Sequence, residues 1–216
     1  MPQPPIQAVI FDCDGTLVDS ETLSLAVLVE YVGEFGLEIS HAEAMERFAG
    51  NELSVVFAEF EQRLGRKLPD DFLDTFRNRQ MSVLREKLQP IDGVHDVIES
   101  IQLPFCVASN APLSKVNVCL ETVGLIQHFP ESRIFSAYQI KTWKPEPDLF
   151  LMAAEKMQVP AENCVVVEDS VFGIKAGLTA GMQVIAYDPH RKLAGQFEDV
   201  TFISTLPELR PLLDCS

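Results

Sequence analysis

Positive charge is scarce in this chain. Among 216 residues, 17 are Lys or Arg and 32 are Asp or Glu, a formal net charge of −15. Nucleic-acid binding needs clustered cations to neutralise phosphates, so this balance argues against a nucleic-acid partner. It argues equally against an anionic membrane surface. Long apolar runs are also missing, and nothing approaches the roughly 18 apolar residues of a spanning helix. Met1-Pro2-Gln3-Pro4-Pro5 lacks the basic start and apolar stretch of a secretory signal, and a cytoplasmic protein is expected. Cys13, Cys106, Cys119, Cys164 and Cys215 are odd in number, scattered, and include no Cys-x-x-Cys pair. That pattern excludes a disulfide scaffold. His41, His95, His128 and His190 show no metal-ligand spacing. Any anionic ligand must therefore be held by local Lys, Arg, backbone N–H groups or a metal, against the global field.

What the chain does have is a recurring apolar run. Such runs stand at 8–11, 105–108, 164–167 and 183–187, with a weaker one at 200–203. Most are near-continuous, as expected for strands buried on both faces of a parallel sheet. Cys106 and Cys164 fall inside two of them and read as small core residues. Helical stretches alternate with the runs, at 112–123, 147–157, 171–180 and 205–213. Strand–helix alternation predicts a doubly wound α/β core. From about 20 to 88 the rhythm breaks, and four helical stretches follow near 21–35, 41–48, 52–64 and 69–88. Leu53, Val56, Phe57, Phe60 and Leu64 give the amphipathic spacing of one of them. The predicted organisation is a parallel-sheet core, residues 1–18 and 89–216, interrupted by an all-helical domain, residues 19–88.

The chemistry gathers at strand ends. Ala8-Val9-Ile10-Phe11 runs into Asp12 and Asp14, with Gly15 and Thr16 breaking the run. Val107-Ala108 ends in Ser109-Asn110, Lys144 lies between Trp143 and Pro145, and Val165-Val166-Val167 ends in Glu168-Asp169-Ser170. In an open α/β sheet such ends share one rim, where ligands bind. Two carboxylates at a buried strand end need a counter-charge, and a divalent cation is the simplest. Asp12 and Asp169 can offer it oxygen ligands. A carboxylate can also attack phosphorus and form an aspartyl-phosphate. Asp14, in the turn beyond the strand, suits a general acid and then a general base. Ser109, Asn110 and the Lys144 ammonium can hold phosphoryl oxygens as charge redistributes. Cys13 has no His near it in sequence, which argues against a thiol nucleophile.

These residues, in this order, resemble the four motifs of the haloacid dehalogenase superfamily. Asp12-Cys13-Asp14-Gly15-Thr16-Leu17-Val18-Asp19-Ser20 is similar to motif I, Ser109 to motif II and Lys144 to motif III. Glu168-Asp169-Ser170, followed by Gly173-Ile174 and Ala176-Gly177, is similar to motif IV. The helical insert resembles the cap of the beta-phosphoglucomutase-like branch. The resemblance implies a Rossmann-like core with a helical cap, Asp12 as nucleophile and Asp14 as acid/base. It further implies Mg²⁺ held by the Asp12 carboxylate, the Asp14 backbone carbonyl and Asp169, with Glu168 direct or through water.

Departures from the family narrow the expected activity. Asp14 is present where the dehalogenases lack a second aspartate. Ser24 and Leu53 stand where the mutases carry His and Arg. A phosphatase for a small phosphorylated metabolite is favoured, a sugar phosphate with 6-phosphogluconate as a candidate. A phosphomutase and a non-catalytic binding protein are the alternatives. Arg47, Gly50 and Asn51 fall where this family places substrate-reading groups, although Arg47 equally suits a surface ion pair and Gly50 a plain turn. The expected state is monomeric.

Overall fold

Ala8–Phe11 forms β1, fully buried along its length, and the rest of the sheet is built outward from it. The structure is a computed structural model that describes residues 4–48 and 52–214. The other strands are β2 (Phe105–Ser109), β3 (Ile134–Ser136), β4 (Cys164–Glu168), β5 (Gln183–Tyr187) and β6 (Thr201–Ile203). All pairings are parallel, in the order β3-β2-β1-β4-β5-β6. The chain thus winds one way from β1 through β2 to β3 and the other way from β4 to β6. The crevice beside β1, where the order reverses, is where such sheets bind ligands. Register brings the chemistry to that crevice. Phe11 pairs with both Val107 and Val167, so Asp12, Ser109 and Glu168 emerge together at the carboxyl ends.

The helices are α1 (Glu21–Gly33), α2 (His41–Phe48), α3 (Leu53–Leu64), α4 (Phe72–Lys87), α5 (Val94–Ser100), α6 (Leu113–Thr122), α7 (Ala137–Ile140), α8 (Asp148–Met157), α9 (Val171–Thr179) and α10 (Leu209–Asp214). The chain divides into two compact units, Met1–Val18 with Pro90–Ser216, and Asp19–Gln89. At the boundary Val18 forms an antiparallel bridge with Pro90, and the Asp19 N–H donates to the Gln89 carbonyl at 3.1 Å.

In the sheet unit, one face of the sheet packs Ile10, Ala108, Val166 and Ala186 against Phe150 of α8 and Ile174 of α9. Small residues let α9 lie close. A Cβ at Gly177 would meet Val184 Cγ2 at 2.8 Å, below any real contact. In the helical unit α1, α3 and α4 bury an aromatic cluster. Tyr31 stacks on Phe72 at 4.5 Å between centroids, and Phe57 meets Phe72 edge-on at 5.1 Å. Edge-to-face and stacked pairs of this kind add to plain area burial.

Differences from the sequence reading are local. β3 carries no long apolar run. It is a three-residue edge strand whose pairing with β2 defines it. α5, seven residues long, lies outside the helical stretches that the sequence pattern marks. The 205–213 stretch divides into a 3₁₀ turn at Leu206–Glu208 and α10. Pro207, in the first turn, lacks the N–H that regular helical bonding uses, and a Thr205–Glu208 capping box starts the turn. Among the described residues no helix is long and apolar enough to cross a membrane.

Candidate active site

Asp12 follows β1 directly. Its backbone N–H donates to the Val167 carbonyl at 2.9 Å, which ties it to the end of β4. The side chain is almost fully buried and accepts from Lys144 Nζ at 2.5 Å. Burial pushes the Asp12 carboxyl up, Lys144 pulls it down, and Glu168 and Asp14 push it up again, to about 7. Beyond Asp12 the chain turns tightly. Gly15 N–H donates to the Val18 carbonyl at 2.8 Å, and Leu17 N–H to the Cys13 carbonyl at 3.0 Å. Gly15 has φ +87°, and a Cβ there would lie 2.1 Å from Asp169 Oδ2. Only glycine fits that turn on both counts. Thr16 Oγ1 donates to Asp169 Oδ1 at 3.2 Å, so the Asp169 carboxylate lies against the turn that carries Asp14.

Lys144 is bracketed by acids. Besides Asp12 it donates to Glu168 Oε1 at 2.9 Å, and its side chain is 3% exposed. Burial pulls its pKa down, but the Asp12 and Glu168 carboxylates outweigh burial and hold it above the ordinary lysine value. The Phe150 ring lies 4.7 Å from Nζ and walls the charge off on another side. Glu168 is in turn fixed at its second oxygen. Oε2 accepts from Ser170 N at 2.7 Å and from Ser170 Oγ at 2.9 Å. Ser170 also caps α9, accepting from Gly173 N at 3.0 Å.

Ser109 ends β2, buried, with Oγ accepting from Ala111 N at 3.0 Å. Asn110 faces a different partner from the one its sequence position suggests. Oδ1 accepts from Lys144 N at 2.9 Å, and Nδ2 donates to the Lys144 carbonyl at 3.3 Å. Its amide is engaged in shaping the Lys144 loop. Arg47 of α2 pairs with Glu59 at 2.7 Å and with Glu43 at 3.6 Å. Gly50 and Asn51 lie outside the described residues. Cys13 is fully buried, and hydrogen bonding to Cys119, burial and the Asp14 charge push its thiol well above the ordinary value. A thiol held in its neutral form is no nucleophile.

One site residue gave no signal in the sequence. Lys115, on α6, donates from Nζ to Asp14 Oδ1 at 2.7 Å. Its partner is 101 residues away, and nothing local marks it. Burial pulls its pKa down and Asp14 more than offsets this. The loop ends therefore assemble four carboxylates, Asp12, Asp14, Glu168 and Asp169, with two ammonium groups, Lys115 and Lys144. The formal excess is two negative charges, and every acidic donor is an oxygen. A hard divalent cation matches both features, since Mg²⁺ takes carboxylate, carbonyl and water oxygens. The donor chemistry fits such an ion, and because no three acidic, His or Cys side chains converge on one point among the described residues, backbone and water oxygens would have to complete its shell.

The chain matches the haloacid dehalogenase-like hydrolase family over residues 9–187. It is 36% identical over 209 residues to the 6-phosphogluconate phosphatase of Escherichia coli K12, an alignment covering 94% of each chain. Its structure is similar to that of the haloacid dehalogenase-like protein ATU0790 of Agrobacterium tumefaciens, with TM-score 0.83 and 32% identity, over 97% of this chain and 98% of that one. A HAD family hydrolase of Deinococcus radiodurans, solved with bound phosphate and sodium, matches with TM-score 0.78 and 29% identity, over 97% and 95%. The motifs at the sheet's carboxyl rim, the strand order and these likenesses agree: the chain belongs to the haloacid dehalogenase-like hydrolase family and is an enzyme of it.

Proposed function

We propose that the protein is a monomeric, cytoplasmic, Mg²⁺-dependent phosphatase for a small phosphorylated metabolite, acting through an aspartyl-phosphate. A sugar phosphate is the favoured substrate class, and 6-phosphogluconate, named for the Escherichia coli relative, is the leading candidate. The observation that carries this reading is the Asp12–Lys144 pair at the switch point of the sheet, with Asp14 in the turn beside it. Asp12, Asp169 and the Asp14 backbone carbonyl would hold the ion, with Glu168, engaged by Lys144 and Ser170, reaching it through water. When bound, the ion neutralises the site and polarises the phosphoryl oxygens.

The chain's own groups divide the work. An Asp12 oxygen attacks phosphorus as the bond to the leaving oxygen breaks, and Asp14 gives that oxygen its proton. In the second half, water loses a proton to Asp14 and attacks phosphorus. The bond to Asp12 then breaks, its electron pair returns to the carboxylate, and phosphate departs. Lys144 and Ser109 hold the phosphoryl oxygens through both halves.

Phosphate release from a panel of phosphorylated metabolites with Mg²⁺ tests the reading. Sugar phosphates should be hydrolysed, and Asp12→Asn should lower turnover by at least about a thousand-fold while the protein stays folded. Isomerised sugar phosphate in place of free phosphate would indicate a mutase. Retained activity in Asp12→Asn would overturn the nucleophile assignment.

A further inference from the structure

Lys115 is the third helical residue after Pro112, in the first turn of α6. A helix dipole disfavours a cation at that end. A lysine there is ordinarily left in water, where its long side chain keeps its rotamer freedom. This one is only 16% exposed and is directed at Asp14 Oδ1, 2.7 Å away. One turn later Cys119 meets the Cys13 thiol. Residues four apart share a helix face, so one face of α6 touches two successive residues of the Asp12-Cys13-Asp14 segment. The turn's backbone is fixed by its own bonds, from Gly15 to Val18 and from Leu17 to Cys13. Those bonds do not act on the Asp14 carboxyl, and the charge-assisted bond from this largely sequestered lysine does.

We infer that Lys115 is a positioning residue that holds the Asp14 carboxyl where it exchanges a proton with the leaving oxygen and with the attacking water. The inference rests on the acid/base role proposed above for Asp14. Lys115 itself transfers no proton and touches no substrate. It lies outside the four sequence motifs, and its contribution comes entirely through Asp14. Orientation of this kind is a large lever, since a misplacement of about 1 Å can lower a rate about a hundredfold.

The test compares Lys115→Met, Lys115→Arg, Asp14→Asn and the Asp14→Asn/Lys115→Met double variant, all with Mg²⁺. Two esters serve as probes: a sugar phosphate from the panel, whose alkoxide needs a proton to leave, and p-nitrophenyl phosphate, whose nitrophenolate does not. In Lys115→Met, kcat on the sugar phosphate should fall roughly ten- to a hundredfold, with KM within about twofold. The pre-steady-state release of nitrophenolate should change by less than about twofold, because its departure needs no proton from Asp14. Lys115→Arg should recover most of the loss, and Lys115→Met should add nothing to Asp14→Asn. The ratio between the two probes is taken within one variant, so a lowered folded fraction cancels. Unchanged kcat in Lys115→Met overturns the inference. A raised KM at constant kcat would instead make Lys115 a substrate ligand, and an equal fall for both probes would make it a general support of the loop; either result overturns it. Failure of the underlying reading looks different: Asp14→Asn would then be as active as the parent.

Discussion

Asn110 grips the backbone of Lys144 at both of its polar ends, accepting from the N–H at 2.9 Å and donating to the carbonyl at 3.3 Å. A side-chain amide thus stands in for a strand partner at a loop that has none. It sets the height from which the Lys144 side chain enters the site. Asn110→Ala should lower kcat about tenfold with a small loss of stability, because it frees the loop without removing the ammonium. Asn110→Asp keeps the acceptor and loses the donor, and should fall between the two. Steady-state kinetics beside thermal melts check this. A loss appearing only in KM would point instead to direct phosphate contact by Asn110.

Removing the Lys144 charge should be far more damaging. Asp12 and Glu168 would face each other buried, without their shared cation. Breaking one partner out of a buried pair costs about 3–5 kcal/mol. Lys144→Met should lose stability on that scale in urea titration. Lys144→Met/Glu168→Gln should regain part of it, since one of the stranded charges is gone. No recovery in the double variant would mean that Glu168 is stabilised by Ser170 and α9 alone.

Asp12 gives the site a pH signature in chelator-treated protein. Its carboxyl stands at about 7 when folded, against an ordinary 3.8. The folded state therefore holds the proton more tightly than the unfolded state does. The stability this lends is complete below the lower value and is lost as pH rises through the upper one. Asp12→Asn needs no proton, so its Tm should gain on the parent's as pH rises from about 5 to about 8. Added Mg²⁺ should raise the parent's Tm at the upper pH by mass action and raise that of Asp12→Asn less. A Tm difference that stays constant across the range would count against the electrostatic account.

Gly173 is constrained by Glu168 and not by its own torsions. A Cβ at this position would lie 1.7 Å from Glu168 Oε1. Gly173→Ala normally favours a helix, by about 1 kcal/mol. Here it should destabilise by roughly 1–3 kcal/mol and lower kcat, because Glu168 must give way and Lys144 with it. Urea titration and kinetics on the purified variant measure both effects.

Strand positions were legible wherever burial on both faces left a continuous apolar run, as at Ala8–Phe11 and Cys164–Glu168. β3 was not, because Ile134–Ser136 is too short to show a pattern and exists through its pairing with β2. The acids of the site were legible because charge beside an apolar run demands an explanation. Lys115 and the true partner of Asn110 were hidden for the opposite reason. Each is an ordinary polar residue in a loop or a first helical turn, and only long-range contact gives it meaning.

The position of β1 has a consequence for how the enzyme is made. Its two neighbours in the sheet are β2 and β4, which begin at Phe105 and Cys164. During synthesis β1 leaves the ribosome before either neighbour, and the whole of Asp19–Gln89 lies between it and β2. Domains emerging early fold early, and long-range parallel pairing is slow. β1 therefore stays without its sheet partners while Asp19–Gln89 is made, and Asp12 cannot be buried against β4 until Glu168 has been translated. Asp12 is made ahead of both strands that flank it and reaches its buried position only after β4 has joined β1.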